Sequence, residues 1–81
     1  MLTLYSLSEC RRCGLVKQML DVHKVQYEEI TDNRPLMKEK EIQNAPAIEI
    51  DGKIIDEYTY VLEWLQDNNY YSLWEDDNEG N

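Results

Sequence analysis

Apolar and polar residues alternate over Leu2–Ser6, and this period of two in strand-forming residues predicts a first β-strand. The period then changes. From Arg12 to about Lys24 the positions Val16, Met19, Leu20 and His23 recur at helical spacing, leaving Lys17, Gln18, Asp21 and Lys24 for solvent. Val25–Ile30 returns to strand character, so this stretch predicts a βαβ unit with a right-handed crossover. Thr31–Pro35 reads as a turn and helix start, with Asn33 or Asp32 as cap and Pro35 in the first turn. The short, polar helix is expected to run to about Gln43. Asn44-Ala45-Pro46 ends it, because proline disfavours helical geometry in the residue before it. Ala47–Ile50 and Lys53–Ile55 flank Asp51-Gly52, a two-residue hairpin signal. Asp56 is placed to cap a last helix whose apolar stripe is Tyr58, Val61, Leu62 and Leu65.

The predicted order is β-α-β-α-β-β-α, with no repeat. It resembles the thioredoxin-like arrangement, which implies an α/β fold with a four-stranded mixed sheet and helices on both faces. At 81 residues the chain is expected to hold one domain, residues 1–69, followed by an acidic tail, 70–81, read as largely disordered. No apolar run is long enough to span a membrane, and the N-terminus lacks the basic and apolar regions of a signal peptide. A cytoplasmic, monomeric protein is the expectation.

Charge removes another class of function. The net charge of −9 is divided unevenly: residues 1–40 carry seven Lys/Arg against six Asp/Glu, and residues 41–81 carry Lys53 against eleven acids. Nucleic acid is therefore not an expected partner, since phosphate binding needs clustered cations. Beside a candidate site, the cationic focus is Arg11-Arg12.

The two cysteines of the chain stand as Cys10-Arg11-Arg12-Cys13, between the first strand and the first helix. A cysteine at a helix N-terminus meets unpaired N–H groups and the positive end of the helix dipole. Both favour the reactive thiolate, and three-residue spacing keeps Cys13 within reach for a disulfide. Dithiol–disulfide chemistry is the reading, with Cys10 as nucleophile and Cys13 resolving. Two alternatives are weaker. Two buried small hydrophobes would ignore the helix-start context, and a structural zinc site wants four ligands where only Cys10, Cys13 and His23 are of the favoured kinds. No metal is expected. Two cations at a helix start oppose the dipole, which suggests that Arg11 and Arg12 stabilise the Cys10 thiolate and attract an anionic thiol, against the plainer reading of solvated charge.

With the dithiol and the hairpin placed, residues 1–69 resemble a glutaredoxin. The resemblance rests on the strand ending before Cys10-Arg11-Arg12-Cys13, on Ala45-Pro46 opening the third strand, and on the last helix beginning near Tyr58-Thr59. It implies a cis Ala45–Pro46 bond facing the dithiol, with the loop backbone offered to a bound thiol peptide. It departs in the two arginines between the cysteines, where glutaredoxins carry Pro-Tyr, and in Asp56-Glu57, where they carry a glycine pair. The stretch Pro46–Tyr58 is similar instead to the N-terminal domain of glutathione transferases, whose Glu-Ser pair corresponds to Glu57-Tyr58 here.

These resemblances imply a glutathione groove formed by Ala45, Pro46, Glu57, Tyr58 and Thr59. Arg12 or Arg34 would meet the glycyl carboxylate. They imply no permanently bound cofactor, glutathione or a flavoprotein reductase as reductant, and protein disulfides or glutathione mixed disulfides as substrate, with glutathionylated proteins and ribonucleotide reductase among the candidates. Two alternatives stay open: an electron donor to ribonucleotide reductase reset by thioredoxin reductase, and a non-catalytic module holding an iron–sulfur cluster with glutathione.

Overall fold

The computed structural model describes residues 1–71. Its elements are β1 (Leu2–Ser6), α1 (Arg11–Val22), β2 (Tyr27–Thr31), α2 (Arg34–Glu39), β3 (Ala47–Ile50), β4 (Lys53–Ile55) and α3 (Tyr58–Asp67). The strands form one mixed sheet in the order β2-β1-β3-β4, with β1 parallel to β2 and antiparallel to β3. The predicted element order holds. Asp51 and Gly52, at φ +51° and +82°, make the two-residue turn between β3 and β4, where both central residues must be left-handed.

Strand alternation sorts the side chains between two faces. Leu2, Leu4 and Ile48 meet Val16, Met19 and Leu20 of α1 and Val61 and Leu65 of α3. Tyr5 and Ala47 point the other way, onto Met37 of α2 and Ile42 just beyond it. Helices thus cover both faces, but α2 has only six residues and one buried side chain. A polar anchor supplements it. The Tyr5 hydroxyl donates to Glu49 at 2.6 Å, and the Lys40 ammonium donates to both Glu49 oxygens at 3.2 Å.

Helix boundaries differ from the sequence expectation for a single reason. Lys24, Glu41 and Asn69 all adopt left-handed φ near +60° just past a helix end. Each N–H bonds back to the carbonyl three residues earlier, of Asp21, Lys38 and Gln66, at 3.0–3.1 Å. The next residue bonds to the carbonyl five back: Val25 to Leu20 at 2.9 Å, Ile42 to Met37 at 2.8 Å and Tyr70 to Leu65 at 2.7 Å. All three are Schellman endings without glycine. Hence α1 stops at Val22 rather than Lys24, α2 at Glu39 rather than Gln43, and β2 starts at Tyr27 because Val25 closes the preceding helix.

The caps differ as well. Asn33 caps α2, accepting from the Leu36 N–H at 3.2 Å. Asp56 does not cap α3: Glu57 holds the cap position with no side-chain hydrogen bond, and Asp56 accepts instead from the Gln43 N–H at 2.9 Å. Tyr70 and Tyr71, expected to open the tail, pack against the core, and Tyr70 lies 5.8 Å from the Trp64 ring. The rest of the expected tail, 72–81, lies outside the described residues. Among the described residues no helix is long and apolar enough to cross a membrane.

Candidate active site

The first turn of α1 presents the two cysteines. Cys10 is the N-cap of α1 in extended conformation, and its sulfur accepts from the Cys13 N–H at 3.1 Å. Cys10 and Cys13 are joined as a disulfide, 5.2 Å apart at Cα. Cys13 is 3% exposed, whereas Cys10 is half-buried, so one sulfur is reachable from solvent and the other is shielded. Across from them the Ala45–Pro46 peptide is cis, as the resemblance implied. The Ala45 carbonyl oxygen stands 3.9 Å from the Cys10 sulfur.

Two aspartates that the sequence reading assigned to helix caps hold the loops of this site. Asp32, left-handed at φ +59°, donates its N–H to the Ser6 carbonyl and accepts from the Ser8 N–H, both at 2.9 Å. That ties the segment leading into Cys10 to the end of β2. Asp56 does the same for the segment leading into Ala45, through Gln43. The spacing of acids along the chain carried no sign of either clamp, because both partners are backbone amides of distant loops.

Three depressions are lined by candidate residues, one of them by the disulfide. A groove of about 440 Å³ runs along α2, lined by the apolar Leu7, Met37 and Ile42 and the charged Arg34, Lys38 and Glu41, and reaching Ala45. A cleft of about 330 Å³ lies beyond Leu7, between the first turn of α1 and the ends of β1 and β2, and both cysteines line it. A third groove, of about 530 Å³, separates β4 from α3 and includes Glu57, Tyr60 and Trp64.

The cleft has a self-satisfied polar floor that the sequence reading missed. Glu29 accepts from the hydroxyls of Ser6 at 3.1 Å and Thr31 at 3.2 Å and pairs with the Lys17 ammonium at 3.1 Å. The hydrogen bond from Lys17, helped by those hydroxyls, holds the Glu29 carboxyl below the usual carboxylate range. Gly14, an exposed residue whose N–H donates to the Cys10 carbonyl at 3.2 Å, also lines the cleft. A Cβ added there would meet nothing within 4 Å. A glycine inside a helix costs about 0.5–1 kcal/mol relative to alanine.

The other expected residues are divided among these surfaces. Arg12 lies over the Tyr58 ring, 4.8 Å from its centroid, which puts it at the start of α3. Arg34 lines the α2 groove, so the two arginines offered as alternatives for one carboxylate stand at different elements. Arg11 is exposed in the first turn of α1. Ala45 and the buried Pro46 face the dithiol, and Tyr58 and Thr59 open α3, whose first amides have no side-chain cap. Glu57 lines the β4–α3 groove rather than the cleft of the cysteines.

No protein-family model matches the chain, and no curated protein matches it. Solved structures do. The crystal structure of the thioredoxin-like protein BC3987 is 25% identical with a TM-score of 0.67, covering 83% of this chain and 97% of that one. A diazinon-metabolizing glutathione S-transferase of the silkworm Bombyx mori superposes at a TM-score of 0.69 with 20% identity, covering 83% of this chain and 37% of its own. Glutathione transferase Omega 3C of Trametes versicolor gives 0.69 with 22% identity, covering 84% and 33%. The chain thus spans about a third of the transferases and nearly all of the smaller protein. Its fold is thioredoxin-like, the architecture shared by that small protein and by part of each transferase.

Proposed function

We propose that this chain is a glutaredoxin-like dithiol–disulfide oxidoreductase acting through Cys10 and Cys13. The observation that carries the reading is the closed Cys10–Cys13 pair, with the more accessible sulfur at a helix N-cap and beside the carbonyl preceding a cis proline. In the reduced pair, the Cys13 amide and the helix terminus favour the Cys10 thiolate over the thiol. That thiolate attacks one sulfur of a substrate disulfide. The substrate S–S bond breaks, a Cys10 mixed disulfide forms, and the second substrate sulfur leaves as a thiolate. Cys13 then gives up its proton and attacks the Cys10 sulfur, which closes the internal disulfide and releases the remaining thiol. Two electrons pass to the substrate. Two molecules of glutathione, or a flavoprotein reductase, return them.

Glutathione fits as reductant on the elements already described. Its cysteine would lie along the Ala45–Pro46 backbone, its glycyl carboxylate near Arg34, and its glutamyl carboxylate at the uncapped first turn of α3 by Tyr58 and Thr59. Arg12 and Glu57 flank that end, and Glu57 suits the ammonium. The test is turnover of a disulfide substrate with glutathione plus glutathione reductase, beside turnover with thioredoxin reductase. The first system should sustain turnover, Cys10→Ser should abolish it, and iodoacetamide should label Cys10 of the reduced protein before Cys13. Labelling of Cys13 first, or no turnover in either system, would overturn the reading. Turnover with thioredoxin reductase alone would replace glutathione with the flavoprotein and keep the dithiol chemistry.

A further inference from the structure

Among the described residues nothing packs against the side-chain direction of Gly14. Its conformation is that of the surrounding helix, its side-chain direction is open space, and alanine would serve the helix better. What it does border is the cleft that both cysteines line. The floor of that cleft is already paired within itself: Lys17 faces Glu29, and the Ser6 and Thr31 hydroxyls are directed to the same carboxylate. An anion such as glutathione would have to compete with Glu29 for Lys17 there, whereas the α2 groove on the other side of Leu7 offers it Arg34 and Lys38 against one acid, Glu41. An uncharged main chain faces no such penalty in the cleft. What it needs is close approach, which bare backbone provides.

We infer that Gly14 is a specificity residue for protein substrates: it keeps the cleft wall low so that the polypeptide carrying the target disulfide lies across the first turn of α1. The substrate class is therefore protein disulfides, which approach from the Gly14 side, while the anionic reductant approaches from the α2 side. Both use the Cys10 sulfur, in alternate half-reactions. The inference rests on the oxidoreductase reading above and adds the direction from which the substrate arrives.

The test mixes fully reduced protein, freed of reductant, with insulin or with 2-hydroxyethyl disulfide and follows closure of the Cys10–Cys13 bond by quenched alkylation. Gly14→Leu should lower the rate with insulin, relative to the rate with the small disulfide, by at least about tenfold. Gly14→Ala should lower the ratio less, while its thermal midpoint rises by a few degrees, which separates the effect from misfolding. An unchanged ratio in Gly14→Leu, with the parent active on both disulfides, overturns the inference alone. A parent inert toward both overturns the oxidoreductase reading and the inference with it.

Discussion

On one face of the sheet, helices of 12 and 10 residues bury an apolar layer; on the other, a six-residue helix is held by Met37, Ile42 and the Tyr5–Glu49–Lys40 cluster. The two halves of the candidate site divide in the same way. Both cysteines belong to α1 on the well-packed face, while the cis-Pro46 loop follows directly from α2 on the lightly packed one. Sulfur chemistry needs fixed distances between the two cysteines, so a rigid helix start suits it. A segment that must yield to a bound ligand is better drawn from the less stable part of a structure. In the proposed function the difference between the faces separates the dithiol from the loop where the reductant is placed, while the protein substrate is inferred to reach the dithiol from the Gly14 side.

Core truncation should expose the contrast most strongly. Leu20 is fully buried between α1 and the sheet, and Met37 is 7% exposed under α2. Large-to-alanine changes at buried sites cost about 2–5 kcal/mol, depending on how far the surroundings can relax. Leu20→Ala should fall at the upper end, where the cavity is walled on every side, and Met37→Ala at the lower end, where a short helix can settle inward. Small domains hold only about 0.05–0.15 kcal/mol per residue, so the first change should leave little folded protein in urea melts. Equal costs would break the comparison.

Acid should loosen the second face through a group that can be named. The Tyr5 hydroxyl, and after it the Lys40 ammonium, hold the Glu49 carboxyl below its usual range. A carboxylate with a depressed folded pKa contributes stability above its unfolded value, about 4.3, and that contribution is lost as pH falls through the folded pKa. Glu49→Gln should therefore lower the thermal midpoint at pH 7 and flatten its decline between pH 5 and pH 3. Tyr5→Phe removes the hydroxyl from the same cluster and should cost about 0.5–1.5 kcal/mol at pH 7. A parent-like pH dependence in Glu49→Gln would assign the acid response to Glu29 on the other face.

Much of this architecture was legible in the residue pattern, for identifiable reasons. Val16, Met19 and Leu20 keep a helical period because α1 buries one stripe against the sheet, and Asp51-Gly52 can hardly be other than a tight turn. The cysteine pair was legible because its spacing and its place between strand and helix both carry chemistry. What escaped was set by tertiary partners. Asp32 and Asp56 look like helix caps in sequence but hold the Ser8 and Gln43 amides, which lie 24 and 13 residues away along the chain. The cleft floor escaped because Ser6, Lys17, Glu29 and Thr31 come from three elements and share no local pattern. Gly14 lies inside the predicted helix but drew no reading from the pattern, and it is the open space at its Cβ among the described residues that sets it apart.

The helix ends were illegible because the residues that stop them are not glycines, and this gives the smallest and most discriminating prediction. Lys24 and Glu41 sit at φ +58° and +59°, where a residue with a Cβ is strained. Glycine there relieves the strain but adds freedom to the unfolded chain, so Lys24→Gly and Glu41→Gly should each stabilise by about 0.5–1 kcal/mol in urea melts. Asn69, at φ +62°, tolerates the left-handed region better, and its replacement by glycine should change stability by no more than a few tenths of a kcal/mol. The first two variants lie on opposite faces. If the α2 face opens independently, Glu41→Gly should slow hydrogen exchange in α2 while leaving α1 unchanged, and Lys24→Gly should not have the converse effect confined to α1. Slowing spread evenly over both helices from either variant would mean that the faces open together, and that the weaker packing under α2 has no separate dynamic consequence for the cis-proline loop.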